Sequence, residues 1–452
     1  MPAHPAATRL EADLLGQLAL PAEALYGVRT QRALDLFPLA GQRALGGYPT
    51  LIDALLLVKQ AAALANQRCG ALPADKAQAI FAAAADLLAH PDPALFPVHA
   101  LHGGGGIAAN MNVNEVLANL GEERLGGRRG EYRQLHPNDH VNLNQSTNDV
   151  YPTAGHLAVL LQWRRLRPAL EALATAFADQ AHALRHMRRL ARTCLQDAVE
   201  ITFFDFFSGY VGGLLRGRDR LQAALDRLYA VTLGGTIVGR PADVPPAYFA
   251  AILPALREVT GEPRFERPAN LFDAFQNPED LAAVSAELDL LARSLIKQAQ
   301  DLRLLSSGPE AGLGEISLPA VLPGSSIMPG KINPTIPEFV MQLAFKVQGL
   351  HTMVAAGVNH GELDLNIWEG TMLCGLLEAM ELLESALTSF AEQCVRGLGV
   401  HRERNARNAD TLIPWLTRLA LQHGYSTVTA ICKEARGDDR LLRELLAARL
   451  GE

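Results

Sequence analysis

Between Glu279 and Leu305, apolar residues recur at Leu281, Val284, Leu288, Leu291 and Leu295, the three- or four-residue spacing of an α-helix that buries one face. Asn277-Pro278 supplies a start and Gly308-Pro309 a stop, so the pattern predicts a helix over 279–305. This is the most constraining feature of the chain, because a helix that long is stable in water only when its apolar stripe packs along neighbours of similar length. Such neighbours are present. Leu170, Leu173, Phe177, Ala181 and Leu184 predict a second helix from Arg167 to Arg189, with Pro168 in its tolerant first turn. A third starts near Pro337-Glu338, and a fourth runs from about Gly370 to Val395. Runs rich in Val, Ile and Tyr are few, so the predicted fold is an all-α bundle of long helices. Shorter periodic pieces around Trp415, Leu419 and Leu445 predict a small C-terminal helical domain.

At 452 residues the chain exceeds a single ordinary core and implies two to four parts, or one large core with smaller flanking parts. A hydrophobic fraction of 49% with 20% charged residues excludes disorder. A net charge of −7 offers no basic surface for nucleic acid or anionic lipid, while leaving room for a local cationic pocket. The five cysteines are scattered and never form a CxxC pair, which argues against a disulfide framework or a cysteine-rich zinc site and fits the reducing cytoplasm. Residues 1–20 show no export signal, and apolar runs are interrupted well short of membrane-spanning length.

Three polar runs break the helical pattern. The first is Gly324-Ser325-Ser326-Ile327-Met328-Pro329-Gly330-Lys331-Ile332-Asn333-Pro334, in which backbone N–H groups, hydroxyls and the Lys331 ammonium suit an anion such as a carboxylate. It lacks the glycine spacing and Gly-Lys-Ser/Thr ending of a P-loop, and a surface turn with a solvated lysine is its plain alternative. The second, His136 to Asp149, packs amides, hydroxyls and imidazoles that would either cap turns or orient a small polar substrate; its His/Asp spacing matches no strong metal pattern. The third is Gly103 to Gly106 followed by Ile107-Ala108-Ala109-Asn110-Met111-Asn112-Val113-Asn114-Glu115, where consecutive glycines permit positive φ or close backbone approach. No preceding strand or spaced glycine pattern supports a dinucleotide site.

The GSSIMPGKINP loop resembles the signature of the aspartase/fumarase superfamily. LYGVRTQRAL (25–34), NMNVNEVLANL (110–120), LHPNDHVNLNQSTNDVYPTA (135–154) and DLRLLSSGPEAGLGEISLP (301–319) extend the resemblance, in family order, over nearly the whole chain and towards its aspartase branch. It implies an N-terminal domain over 1–140, a central helical bundle over 141–396 and a small C-terminal domain over 397–452. It also implies a homotetramer whose active sites each draw on three subunits, a small carboxylate substrate, and no metal or organic cofactor. By the same resemblance, Ser325 is the general base, Lys331 and Asn333 bind the carboxylate, and Glu338 supports them. Ser326 and Met328 accompany them in the loop. Ser146, Thr147, Asn148 and Asn112 line the pocket, and Thr193 enters from another subunit.

Three positions depart from the family pattern. Ile107-Ala108 stands where Thr-Ser usually follows the glycines, Cys194 replaces an imidazole before Leu195-Gln196-Asp197, and Arg240-Pro241 ends a stretch that is normally glycine-rich. Together they remove contacts to a second small carboxylate, whose unpaired burial would be costly. The expected activity is therefore carbon–nitrogen elimination from a non-standard substrate with a larger or less charged far end. Ergothioneine is such a substrate, giving trimethylamine and thiol-urocanate as in the ergothionase branch, and Glu362, Asp364, Trp368 and Glu369 are candidates to hold its cationic or ring N–H groups. Aspartate ammonia-lyase is the alternative, class II fumarate hydratase ranks behind it, and a non-catalytic relative would have lost Ser325 or Lys331.

Overall fold

The computed structural model describes residues 7–451. Its longest elements are the helices Thr147–Ala183, Phe203–Leu225, Glu279–Leu305, Thr335–Asn359 and Glu369–Phe390. The helix predicted over 279–305 has those bounds, and the one expected near Pro337 starts two residues earlier, at Thr335. Val284 and Leu295 of the first are fully buried, as are Val340, Ala344 and Val354 of the second.

The expected start at Arg167 is corrected. Pro168 lies inside a continuous helix, Thr147–Ala183, and not in a first turn. An internal proline removes one hydrogen bond and costs about 3 kcal/mol, but Leu166 and Leu170 around it are fully buried, each stabilising the helix by about 1.5–3 kcal/mol. The fold is also not purely helical. Thr8–Asp13 pairs antiparallel with Gly16–Pro21, Arg188–Thr193 with Gln196–Thr202, and Ile316–Ser317 with Gly399–Val400.

The chain divides into two compact units. One comprises the described residues up to Pro168, Gly217–Arg293 and Leu343–Ser385. Here the helix Pro49–Arg68 packs on Ala74–Ala89 and Pro246–Thr260, and Ala74–Ala89 packs on Ile107–Arg124. Ala54, Ala61, Ala62, Ala65 and Ala83 are fully buried, their small side chains allowing close helix approach. The motifs at 25–34 and 110–120 meet in this unit. Glu115 accepts hydrogen bonds from the backbone N–H groups of Gly27, Arg29 and Thr30, capping the helix Val28–Leu36, while Asn119 Nδ2 donates to the Leu25 carbonyl. Much of that sequence signal is structural.

The second unit comprises Ala169–Arg216, Ser294–Gln342 and the described residues from Ala386. Phe177 meets Phe207, Tyr210 and Phe390 in an aromatic cluster, and the buried Glu315 pairs with Arg192 at 2.6 Å and Arg189 at 3.7 Å. Leu419, Val428, Ile431, Ala435, Leu442 and Leu446 form a separate apolar cluster among the short helices Leu412–His423, Tyr425–Ala435 and Asp439–Leu450. Among the described residues, no helix is long and apolar enough to cross a membrane.

Candidate active site

In the first unit, the polar run leads into the N-terminus of the helix Thr147–Ala183. Thr147 is buried and its Oγ1 accepts a hydrogen bond from Asn110 Nδ2 at 2.9 Å. Asn142 Oδ1 is a hub, accepting from Asn110 Nδ2, Asn114 Nδ2 and Lys59 Nζ at 3.1–3.2 Å. Lys59 Nζ also donates to Gln145 Oε1 at 2.9 Å. Asp149 accepts backbone N–H bonds from Ser146, Gly234 and Thr236, tying the helix N-terminus to the glycine-containing stretch at 234–241. Asn148 Nδ2 donates to the Ile237 carbonyl, and Ser146 Oγ accepts from the Asn148 N–H.

Burial governs the charges here. It pushes Lys59 down to about 7, with Asp149 opposing, and pushes Asp149 up to about 6 against its backbone donors and Lys59. A neutral lysine amine still donates the two hydrogens that Asn142 and Gln145 accept.

Asn110 and Asn114 are four residues apart and so share a helix face. Asn112, the pocket residue expected from sequence, lies between them and donates instead to the Leu95 carbonyl at 3.0 Å. Sequence reading missed Asn110, Asn114, Asn142, Lys59 and Asp149 as a unit; the i, i+4 asparagine spacing carried the signal for the first two. The imidazoles at the start of the run serve turns: His136 Nδ1 accepts from the N–H groups of Asn138 and Asp139, and His140 Nδ1 from that of His136. No group of three or more His, Cys, Asp or Glu that could hold a metal exists among the described residues.

The glycine run works as its composition implies. Gly104, Gly105 and Gly106 have φ of 89°, 62° and 86°, and a Cβ on Gly106 would lie 2.7 Å from the Tyr151 ring. This delivers Ile107 to the first position of the helix Ile107–Arg124, with 41% of its surface exposed.

In the second unit, the serine loop is mostly exposed and closed by its own backbone. Gly324 N–H donates to the Lys331 carbonyl and Asn333 Nδ2 to the Gly324 carbonyl, each at 2.9 Å. A Cβ on Gly324 would approach the Lys331 carbonyl oxygen to 2.6 Å, which explains the glycine. Ser325 Oγ accepts backbone N–H bonds from Ile327 at 3.2 Å and Met328 at 3.0 Å. Ser326, Met328 and Lys331 are exposed. Glu338, in the first turn of the helix Thr335–Asn359, pairs with Arg303 at 3.4 Å.

Thr193 and Cys194 lie at the tip of the hairpin formed by Arg188–Thr193 and Gln196–Thr202. Thr193 pairs with Gln196, and the two turn residues, Cys194 and Leu195, have φ of 52° and 61°. Hairpin turns of this length favour positive φ but prefer Asn and Gly, so this tip, which is exposed, is strained. Arg240 is exposed and paired with Asp243. The run around Trp368 splits: its indole N–H donates to the His360 carbonyl at 2.7 Å, Glu362 and Asp364 are exposed, and Glu369 is buried.

Long central helices, a buried amide network at a helix N-terminus and a serine held by two backbone donors define a class that comparison with known proteins identifies. A family model described as Lyase matches residues 16–349. The chain is 41% identical to a class II fumarate hydratase of Ralstonia nicotianae, covering 98% of this chain and 95% of that protein, and 40% identical to an aspartate ammonia-lyase of Pseudomonas aeruginosa, covering 98% and 93%. A solved fumarate lyase:delta crystallin of Brucella melitensis bound to cobalt is 40% identical, with a TM-score of 0.94 over 98% of this chain and 96% of that one. The chain belongs to the aspartase/fumarase superfamily of lyases. Its chemistry is of that general type, the breaking of a carbon–nitrogen or carbon–oxygen bond.

Proposed function

We propose that this protein is a carbon–nitrogen lyase that eliminates ammonia from aspartate to give fumarate. The observation that carries the reading is the pair of backbone N–H groups on Ser325 Oγ, in a loop that also presents the exposed Lys331. A serine hydroxyl is a poor base in water; donors already aimed at its oxygen favour the alkoxide. Ser325 then takes the proton from the carbon beside one carboxylate. Lys331, with Asn333, holds that carboxylate as it gains charge in the aci-form. The electron pair of the broken C–H bond forms the new double bond, and the C–N bond electrons leave with ammonia.

Thr147, Ser146 and Asn148 line the substrate pocket, with Asn110 supporting Thr147 and Glu338 supporting the loop. Thr193 comes from another subunit, so that a homotetramer with shared sites is the active form. Relatives named for aspartate and for fumarate, at 36–41% identity, support a substrate pair joined by loss of a small group. Cys194, in place of the imidazole that fumarases and several aspartases carry, counts together with Ile107 against fumarate hydratase.

The exposed Ile107 side chain at the glycine run favours a second reading, elimination of trimethylamine from ergothioneine, whose far end is bulkier and less anionic. Incubation with aspartate, malate and ergothioneine in separate reactions, each followed by an absorbance scan, separates the outcomes. Fumarate from aspartate at roughly 1–10³ per second supports the main reading. A product absorbing farther to the red from ergothioneine alone, or turnover of malate alone, overturns it.

A further inference from the structure

In the first unit, the helices Thr147–Ala183 and Glu369–Phe390 and the segments around 227–232 and 268–281 line a cavity of about 400 Å³. Neither the serine loop nor the amide network lines it. Glu369 does, and it is buried, with only 7% of its surface exposed and no hydrogen-bond or ion-pair partner for its carboxyl among the described residues. Burial holds its carboxyl well above the usual range. His156, half-buried and lining the cavity, presents Nδ1 to the carbonyl oxygens of Leu228 and Ala230 at 3.1 and 3.2 Å. Nδ1 therefore carries the proton, and Nε2 is left as an acceptor.

The remaining charges are mainly acidic. Asp273, Glu279 and Asp280 line the cavity against one cation, Arg227, which is already paired with Asp280 at 2.6 Å. A buried carboxyl and a half-buried imidazole acceptor in an acidic enclosure call for a ligand that brings both positive charge and N–H donors. A bare metal ion fits poorly, since no metal-holding group of three or more His, Cys, Asp or Glu exists among the described residues.

We propose that this cavity is a binding site for a small organic cation of the primary-ammonium class, held by Glu369 and His156 and attracted by Asp273. The site does not depend on which substrate the serine loop serves.

The test is thermal unfolding of the full-length protein titrated with propylammonium chloride at constant ionic strength, with sodium chloride and propan-1-ol as controls. A ligand that binds only the folded state raises the melting temperature saturably. The expected result is a saturable rise with propylammonium alone, retained in Ser325→Ala and weakened about tenfold or more in apparent affinity in Glu369→Gln. Asp273→Asn, at an exposed cavity position, is expected to weaken binding several-fold and serves if Glu369→Gln does not fold. No saturable rise, an equal rise with either control, loss of the rise in Ser325→Ala, or unchanged affinity in the cavity variants would overturn the proposal.

Discussion

The amide run at 136–149 and the serine loop at 323–335 use similar residues, yet they are built in opposite ways. In the first, side chains hold side chains: Lys59, Asn110, Asn114 and Asn142 meet in a buried hub, and Asp149 gathers three backbone N–H groups beside it. In the second, the backbone holds itself, through Gly324 and Lys331 and through two N–H groups on Ser325 Oγ, while Lys331 stays in solvent. A buried network contributes to folding, so changing it should cost stability. An exposed loop with local hydrogen bonds contributes little to folding, so changing it should cost chemistry.

Four variants sharpen or break that contrast. Ser325→Ala should lower elimination by about 10²–10⁴-fold while leaving urea unfolding within about 0.5 kcal/mol of the unaltered protein; turnover that persists would sink the base assignment. Asp149→Ala should cost about 3 kcal/mol in the same unfolding measurement, because it strands buried N–H groups. A loss no greater than that of Ser325→Ala would erase the distinction between the two regions.

Lys59 gives the contrast a pH signature. Its folded value of about 7 lies below the ordinary 10.5, so between those limits the unfolded chain binds more protons and stability rises with pH. The rise should approach 1.4 kcal/mol per pH unit, at most about that figure, and should vanish in Lys59→Met; parallel stability profiles between pH 7 and 10 would refute it. Asp149 acts in a lower window, between 3.8 and about 6, where stability falls as pH rises. The smallest effect belongs to the hairpin tip. Leu195→Gly should stabilise by about 1 kcal/mol by relieving positive φ, and a destabilised variant would show that the exposed Leu195 side chain contributes to stability instead.

Legibility followed the range of the interactions. The helix at 279–305 was readable because its stripe, its Asn-Pro start and its Gly-Pro stop are all local. Pro168 misled because the tertiary burial of its neighbours Leu166 and Leu170 outweighs a local penalty. The hairpin over 188–202 was missed because its strands carry arginines and its turn is Cys-Leu, not Asn-Gly. Within the site, the serine loop was legible as a motif, whereas the choice of Asn110 and Asn114 over Asn112 depends on which helix face meets Asn142.

By itself, then, the amino-acid sequence determined that this chain builds long helices, interrupts them with glycine-, amide- and serine-rich loops, and places Ser325 and Lys331 in a segment made to meet an anion. Periodicity and turn chemistry act over a few residues and can be read there. Only the tertiary structure decided that Lys59 and Asp149 share a buried polar layer and that Glu369 faces a cavity without a partner for its carboxyl. Charge, solvation and hydrogen-bond supply at those groups depend on atoms that only folding brings near.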